Sequence, residues 1–441
     1  MILKKLKIAL NPYQLYAIVN REYEHSFLFE SMEGGESLAR FSIIGFDPSK
    51  KISANEKVVS VDGEEEDAEE PIRKLAENIP KIDIKKEGFT GGAVGYFSYD
   101  YVRCLEKIPD LTKNEIEFPD FEFGIFEDCI VYDNRNRAVE YLSVGKDRSE
   151  EILALTKEES FIGPFEAATP KTNLNQNEFE NAVRIAKEKI TDGEIFQVVL
   201  SRRYEFPFEG NALRFYNYLK QTNPSPYMYY LGFGDRKIIG SSPENLIRVE
   251  GRDIESYATL AGTVQRGKTK EDDKILEQKL LSDEKEKAEH LMLVDLTRND
   301  IGKVAEFNSV KVPELMKVHK YSHVQHLGSQ VIGRLRTDKD RFDAFNAMFP
   351  AGTLSGAPKV RAMEIIEELE NTRRGPYGGA VGYFSSNGNC DFAIAIRTLF
   401  AKRQKAYIQA GAGIVYDSVP EKEYRETENK MMALINALGA G

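Results

Sequence analysis

Four glutamates occur as two pairs with the same spacing. Glu286 and Glu289 are three residues apart in a stretch with helical periodicity. Glu423 and Glu426 repeat that spacing near the C-terminus. Residues three apart share a helix face, so four carboxylates would converge if the two helices faced each other. Such a cluster repels itself unless a hard divalent cation binds it, and oxygen ligands favour Mg²⁺. The alternative is surface ion pairing, as between Glu426 and Lys430.

Two glycine-containing segments are candidate anion sites. In PAGTLSGAPKVRAM, residues 350–363, small residues and Pro358 precede a helical pattern. The free N–H groups of a helix N-terminus attract anions, although a plain capped turn has the same composition. The second segment is GAGIV, Gly411 to Val415, whose glycines let backbone N–H groups approach a ligand closely.

Single charged or titratable residues also stand out. Arg397 interrupts the apolar run FAIAIRTLF, which we predict to be one strand. Its partner is either a structural carboxylate or the carboxylate of a ligand. His319, His323 and His326 cluster in HKYSHVQHLGS, a spacing that does not favour zinc. A catalytic acid–base histidine and a structural histidine both remain open.

The elements that must position these residues favour an α+β fold. Residues 1–165 contain short strands and turns, whereas residues 173–441 mix strands with amphipathic helices. The intervening segment has no periodicity, so we place a domain boundary there. Because no regular βαβ order occurs, we predict a two-lobed sandwich of mostly antiparallel sheets with flanking helices. GGAVGYFS occurs at 91–98 and 378–385, by lobe duplication, by chance or by a shared packing need. The acidic stretch Asp62 to Glu70 is predicted to be an exposed loop.

Composition excludes several classes of function. With 441 residues the chain has material for two domains or two lobes around one core. A net charge of −11 disfavours nucleic-acid binding, and no apolar run is long enough to span a membrane. The three cysteines lie far apart, which favours free thiols in a reducing cytosol. We therefore expect a cytoplasmic protein.

Taken together, the motifs closely resemble those of the chorismate-utilising enzymes and, within that family, the anthranilate synthases. The resemblance runs in family order from about residue 173 to the C-terminus and is looser before it. The motifs are IFQVVLSRR, NPSPYMYYL, SSPENL, the AGT of TLAGTVQRG, AEHLMLVDLTRNDIG, HVQHLGSQVIGRL, GTLSGAPKVRAM, GGAVGYFS, AIAIRT, QAGAGIVYDS and YRETENK.

The resemblance implies a lyase of tryptophan biosynthesis that converts chorismate and ammonia to anthranilate and pyruvate with Mg²⁺. It implies that Glu289 and Glu426 bind Mg²⁺ directly, while Glu286 and Glu423 hold its waters. It also implies proton transfer by His326. Thr353 is expected to position the substrate.

The implied substrate pocket draws on several segments. Arg397 and Tyr383 are expected to hold the enolpyruvyl carboxylate. The remaining substrate-binding residues implied are Gly411, Ala412, Gly413, Ala261, Gly262, Thr263 and Gln197.

Two of these positions distinguish the chain from relatives. Ala261 stands where aminodeoxychorismate synthases of one class have an attacking lysine, and alanine cannot be a nucleophile. Gln197 stands where isochorismate and salicylate synthases have a lysine that activates water. Thr259, Val264 and Gln265 depart from the usual family residues. Aminodeoxychorismate synthase is the alternative enzyme.

A tryptophan feedback site is also implied, in the N-terminal lobe. LFES, with Glu30 and Ser31, resembles the inhibitor-binding segment of the family. The facing wall would be NPSPYM, with Asn223, Pro224, Pro226, Tyr227 and Met228. The alternative is that both segments are only lobe contacts.

The implied partner is a glutamine amidotransferase subunit that supplies ammonia, because the sequence has no Cys–His amidotransferase segment. We therefore expect a hetero-oligomer. A non-catalytic tryptophan-sensing subunit is the alternative from another class of function.

Overall fold

Two large antiparallel sheets form the centre of the fold. The structure, a computed structural model, describes residues 1–32, 41–258, 263–267, 269–320 and 324–438. Every pairing between the strands named below is antiparallel. The predicted α+β sandwich is thereby confirmed.

The strands are β1 (Ile2–Leu6), β2 (His25–Glu30), β3 (Phe41–Phe46), β4 (Lys50–Asn55), β5 (Val58–Val61), β6 (Glu64–Asp67), β7 (Gly92–Phe97), β8 (Phe121–Phe126), β9 (Asp128–Asp133), β10 (Ala138–Ser143), β11 (Phe165–Ala167), β12 (Lys171–Thr172), β13 (Gln197–Gly210), β14 (Tyr227–Phe233), β15 (Arg236–Ser242), β16 (Asn245–Glu250), β17 (Asp253–Ala258), β18 (Thr263–Gln265), β19 (Lys311–Lys320), β20 (Val324–Arg334), β21 (Gly356–Ala357), β22 (Ala380–Ser385), β23 (Cys390–Ile394), β24 (Thr398–Lys402) and β25 (Lys405–Ile414). The α-helices are α1 (Pro12–Glu22), α2 (Pro71–Glu77), α3 (Ser149–Leu155), α4 (Gln176–Thr191), α5 (Ala212–Thr222), α6 (Lys270–Ser282), α7 (Glu284–Gly302), α8 (Arg341–Met348), α9 (Lys359–Leu369) and α10 (Pro420–Leu438). Short 3-10 helices span Tyr99–Cys104 and Gly352–Leu354.

The strand order mixes the two ends of the chain. The first sheet runs β1-β10-β9-β3-β2-β14-β15-β24-β25-β13-β11, with β12 and β21 also on β13. The second runs β18-β20-β17-β16-β23-β22-β7-β8-β4-β5-β6, with β19 on β20. Each sheet thus joins strands from before and after the segment 165–173, and the division into domains at that segment stays a prediction.

Apolar residues form one core between the sheets and another behind the first sheet. The inter-sheet core is rich in phenylalanine and also takes side chains from α7 and α8. The second core lies between the first sheet and helices α1, α5 and α10. Of the described helices, none has the length and apolarity that crossing a membrane requires.

The two copies of GGAVGYFS are neighbouring strands. β7 and β22 pair so that Gly95 lies directly opposite Gly382, the equivalent position of the other copy. A Cβ at Gly95 would lie 2.0 Å from the Glu122 carbonyl oxygen, and one at Gly382 would lie 2.1 Å from that of Asp391. Only glycine fits there, so the repeat has a packing reason.

Two local predictions are wrong. The acidic stretch Asp62 to Glu70 is not all loop, because Glu64–Asp67 pairs with β5 as a fully exposed strand. It lies at the sheet edge, where charged side chains stay in water and protect the edge. The run FAIAIRTLF is two strands, β23 and β24, and not one. Arg397 lies between them with a positive φ of 49°, which breaks the extended backbone.

Candidate active site

A small cavity with a mixed polar and apolar lining marks the candidate site. It lies among α7, β16, β17 and the 3-10 turn at Gly352–Leu354, and its volume is about 20 Å³, enough for one water molecule. Its polar lining includes Asn245, Thr297, Asp300 and Thr353. The loop PAGTLSGAPKVRAM therefore contributes the hydroxyl-bearing Thr353 to this cavity.

Helix α7 connects this cavity to the first glutamate pair. Leu293, Thr297 and Asp300 line the cavity, at spacings of four and three residues. Glu289 and Glu286 continue the same face towards the N-terminus, since they precede Leu293 by four and seven residues. At 1.5 Å per residue, Glu289 lies about 6 Å along the axis from Leu293. This predicted metal-binding pair thus extends the cavity-lining face.

The second glutamate pair lies in helix α10, next to the GAGIV strand. Glu426 forms an ion pair with Lys430 at 2.7 Å. Such a surface ion pair is the alternative to metal binding that the sequence left open for Glu426. Lys430 also donates to the Gly411 carbonyl at 2.9 Å. Glu423 is half-buried one turn before Glu426.

A set of carboxylates on two helices suits Mg²⁺ by donor chemistry. Within the described ranges, no three His, Cys, Asp or Glu side chains are grouped closely enough to hold a metal ion. The convergence of Glu286, Glu289, Glu423 and Glu426 stays a prediction.

Gln197 lies where the two glycine-containing segments meet. It is buried at the start of β13, opposite Ala357 of β21, and β25 pairs with β13 on the other side. A Cβ at Gly413 would lie 2.8 Å from the Gln197 amide nitrogen, so this glycine makes room for the amide. The amide oxygen is buried and has no hydrogen-bond partner in the described part of the chain. Gln197 therefore has an acceptor available beside Gly413 of GAGIV, whereas Ala412 lies opposite Leu200.

Glu244 is a site residue that our sequence reasoning missed. The Thr353 hydroxyl donates to its carboxylate at 3.3 Å. Burial raises the pKa of Glu244 to about 7, while Thr353, Arg397 and Lys430 lower it less than burial raises it. Glu244 therefore brings Thr353, Arg397 and Lys430 to one place. The available signal was a carboxylate in the small-residue motif SSPENL between two buried strands.

Arg397 has an amide partner in the folded chain and also lies near the Glu244 carboxylate, while a ligand carboxylate as its partner stays a prediction. Its guanidinium donates to the Asn223 side-chain oxygen at 3.3 Å. Its own carbonyl accepts from Ser241 N–H at 3.2 Å. The positive φ thus holds Arg397 between the NPSPYM segment and Glu244.

The remaining predicted residues are more scattered. His326 is buried on β20, opposite Thr263 and His319, and is not among the cavity-lining residues. Tyr383 is half-buried on β22, and burial raises its pKa well above 10. Ala261, Gly262 and His323, like the side chain of Thr263, lie outside the described residues.

The two halves of the predicted inhibitor site are neighbours. Glu30 of β2 pairs with Met228 of β14, and Met32 N–H donates to the Ser225 carbonyl at 3.2 Å. The hydroxyl oxygen of Ser31 and the amide nitrogen of Asn223 are buried and have no hydrogen-bond partner among the described residues.

Other residues of the predicted inhibitor site already have hydrogen-bond partners within the protein. Glu30 accepts from Tyr216 at 2.7 Å and from Lys220 at 2.9 Å. Tyr227 donates to Asp391 at 3.0 Å. Pro224 and Pro226 flank Ser225 in the same loop. Of the residues in this predicted site, Ser31 and Asn223 are therefore best placed to form hydrogen bonds with a polar ligand.

Comparison with known proteins decides the family. A family model described as chorismate binding enzyme matches residues 24–436. The chain belongs to this family. The recognition made from the motifs is thereby confirmed, as is the prediction of a chorismate-using enzyme.

Relatives of this chorismate binding enzyme cover almost its whole length. It is 48% identical to anthranilate synthase component 1 of Methanothermobacter marburgensis, over 97% of this chain and 92% of the relative. It is 45% identical to the protein of that name from Saccharolobus solfataricus, over 97% of each. Among solved structures, anthranilate synthase component I from Streptococcus pneumoniae TIGR4 matches with a TM-score of 0.82 and 39% identity, over 91% of this chain and 93% of that one.

A more distant structure shows the fold alone. The isochorismate synthase MenF from Escherichia coli has a TM-score of 0.76 at 19% identity, over 99% of this chain and 94% of that one.

Proposed function

We propose that this chorismate binding enzyme converts chorismate and ammonia to anthranilate, pyruvate and water. The observation that carries the proposal is the meeting of Thr353, Glu244 and Arg397 beside the cavity. The chain's nearly full-length similarity to anthranilate synthases component 1 supports this reaction over others of the family. Gln197 in place of an activating lysine disfavours attack by water.

Substrate binding follows from charge. Chorismate is a dianion, and Arg397 and Lys430 are the cations near Glu244. We infer that Arg397, with Tyr383, holds the enolpyruvyl carboxylate, and that the backbone of Gly411 to Gly413 and the Gln197 amide provide further polar contacts.

Two alanine variants would test the GAGIV contact. Gly413→Ala should raise the KM for chorismate several-fold, because its Cβ displaces the Gln197 amide, the movable end of a side chain. We expect a change in unfolding free energy below about 1 kcal/mol.

Gly411→Ala is the matched comparison. Its Cβ would lie 2.9 Å from the Leu200 carbonyl oxygen, which is backbone, so it should destabilise the protein by about 1–3 kcal/mol. Urea unfolding and steady-state kinetics measure both effects. Equal KM values for Gly413→Ala and the parent would remove the Gln197 amide from the pocket.

Proton transfer needs a group that is protonated near neutral pH. Ammonia attacks the ring carbon beside the carboxylate-bearing carbon, and the ring hydroxyl leaves as water once it gains a proton. Glu244, with a pKa of about 7, is our candidate donor, and Thr353 orients it. His326 is our candidate for the ring proton that is lost as pyruvate is eliminated.

The glutamate pairs are our candidate Mg²⁺ ligands, with Glu289 and Glu426 binding directly and Glu286 and Glu423 holding its waters. Bound there, Mg²⁺ would act as a Lewis acid and a template for the ring carboxylate. The chain's own contribution is the fixed spacing of each pair on one helix face.

One assay tests the reaction. The purified chain is incubated with chorismate, ammonium and Mg²⁺, and anthranilate is followed by its fluorescence. We expect anthranilate and pyruvate in equal amounts. A para-substituted product would establish the aminodeoxychorismate synthase alternative, and no product from folded protein would favour the tryptophan-sensing alternative.

The ammonia source and the regulation are further parts of the proposal. The name component 1 borne by the relatives supports a second subunit, which we infer to be a glutaminase that releases ammonia from glutamine. The Ser31 hydroxyl oxygen and the Asn223 amide nitrogen, which have no hydrogen-bond partner within the described part of the chain, support a tryptophan site between LFES and NPSPYM. Asn223 also contacts Arg397, which would link that site to the substrate pocket.

Ser31→Phe should retain activity and lose tryptophan inhibition. The ring would fill the space at the buried Ser31 hydroxyl, whereas the substrate residues are on other strands. Activity is titrated with tryptophan. Met32→Phe is the matched control, because Met32 is the exposed neighbour of Ser31. This substitution should leave tryptophan inhibition unchanged. Equal inhibition of Ser31→Phe and the parent would contradict the site.

A further inference from the structure

A fully buried ion pair lies beneath the candidate site and has no role in the reaction proposed above. The side chains of Arg374 and Glu370 are 2% and 4% exposed. Arg374 donates twice to the Glu370 carboxylate, at 2.9 Å and 2.6 Å. Its guanidinium also lies over the Tyr99 ring, 4.6 Å from the centroid. A buried pair of this kind is weak support for stability, so its placement needs another explanation.

The pair takes the place of a strand along one edge of β13. β21 covers this edge at Gln197 and Val198, and β12 covers it from Tyr204 onwards. Between them, the Val199 carbonyl accepts from Arg374 at 2.8 Å, and Ser201 N–H donates to Glu370 at 2.8 Å. Arg374 and Glu370 thus satisfy backbone groups that a neighbouring strand would otherwise pair.

Arg374 also reaches the turn that carries Thr353. It donates to the Leu354 carbonyl at 2.6 Å, the residue directly after Thr353. The same guanidinium therefore holds this turn against the strand that begins at Gln197. The planar fork of arginine can reach the Leu354 carbonyl, the Val199 carbonyl and Glu370 at fixed angles, which the single ammonium of lysine cannot do.

We propose that Arg374, oriented by Glu370, is a positioning residue that sets the place of Thr353 relative to Gln197 and Glu244. The proposal rests on the proposed function. Arg374 touches no substrate in this scheme, and it acts through the Leu354 carbonyl. Because a shift of about 1 Å in a positioned group costs on the order of 100-fold in rate, loss of the fork should reduce catalysis strongly.

Arg374→Lys tests this role by kinetics. We expect kcat to fall about 100-fold in the parent background. In a Thr353→Ala background, Arg374→Lys should reduce kcat by less than about threefold, because the residue that it positions is already absent. Arg361→Lys is the matched control, since Arg361 of α9 forms half-buried ion pairs with Glu194 and Glu364. That control should leave kcat unchanged.

A second variant keeps the test decisive if Arg374→Lys does not fold. Glu370→Gln retains an oxygen for Ser201 N–H and removes the charge that orients Arg374, so it should show the same dependence on Thr353. Circular dichroism and Tm identify folded variants. An active parent whose folded variants keep full kcat, or lose the same factor with and without Thr353, would overturn the positioning role. An inactive parent would instead overturn the proposed function.

Discussion

Glu244→Gln is expected to fold well and to lose nearly all synthase activity. The glutamine side chain can still accept the Thr353 hydroxyl, so the local geometry is retained. It cannot give a proton to the leaving hydroxyl. General acid catalysis by a positioned side chain contributes 10²–10⁴-fold, so we expect kcat/KM to fall on the order of 1,000-fold.

The pH dependence follows from the direction of the pKa shift. Burial raises the pKa of Glu244 from 4.5 to about 7, so the carboxyl is protonated below about pH 7. Parent kcat/KM should therefore fall as the pH rises through 7, whereas the residual rate of Glu244→Gln should lack that decline. Initial rates at constant ionic strength between pH 5.5 and 9 measure this.

Glu244→Gln should have opposite effects on activity and on stability, because it removes the proton donor and also removes a buried carboxyl. A raised carboxyl pKa contributes stability below pH 4.5, and this contribution is lost as the pH rises through about 7. At pH 9 the parent must bury the charged carboxylate, so Glu244→Gln should be more stable by up to roughly 3 kcal/mol. At pH 4 the gain should vanish.

A control with a nearby glutamate separates the effect of charge from that of proton transfer. Glu244 directly precedes β16, whereas Glu250 is exposed at the far end of that strand, and Glu250→Gln should leave the rate unchanged. An unchanged pH profile for Glu244→Gln, with substantial activity, would assign proton transfer to another group such as His326.

The sequence alone predicted those parts of the site that depend on local spacing. Each glutamate pair lies on one helix, and Thr353 and Gly413 lie in the expected turn and strand, because periodicity and glycine content report local geometry. Arg397 was placed in a strand because apolar residues surround it. Its positive φ depends on contacts with Ser241 and Asn223, which are distant in sequence.

Glu244 was missed for a related reason. A single glutamate in SSPENL carries no periodic signal, and its pKa is raised only because the folded chain buries it beside Thr353. The role of Arg374 and Glu370 could not be predicted from the sequence either. Their spacing of four residues indicates an ordinary ion pair near a helix end, and their contacts with β13 form only in the folded chain.

Glu426→Gln should reduce synthase activity on the order of 1,000-fold and weaken Mg²⁺ binding. If Glu426 is a direct ligand, the amide removes one negative charge from the donor set, and the several kcal/mol that a Lewis acid contributes would be lost at the Mg²⁺ concentration that saturates the parent. Titration calorimetry with Mg²⁺ measures binding without turnover. Saturating Mg²⁺ should raise the Tm of the parent and not that of the variant.

The alternative for Glu426 makes a different prediction, which the same experiment distinguishes. If Glu426 is only the surface partner of Lys430, its replacement changes stability by less than about 1 kcal/mol and leaves Mg²⁺ binding unchanged. Glu421→Gln, an exposed glutamate in the first turn of α10, is the matched control and should bind Mg²⁺ like the parent. Glu289→Gln, on the cavity-lining face of α7, should also weaken Mg²⁺ binding and reduce activity. If one cation is shared by two helices, removing the ligand of either helix weakens its binding.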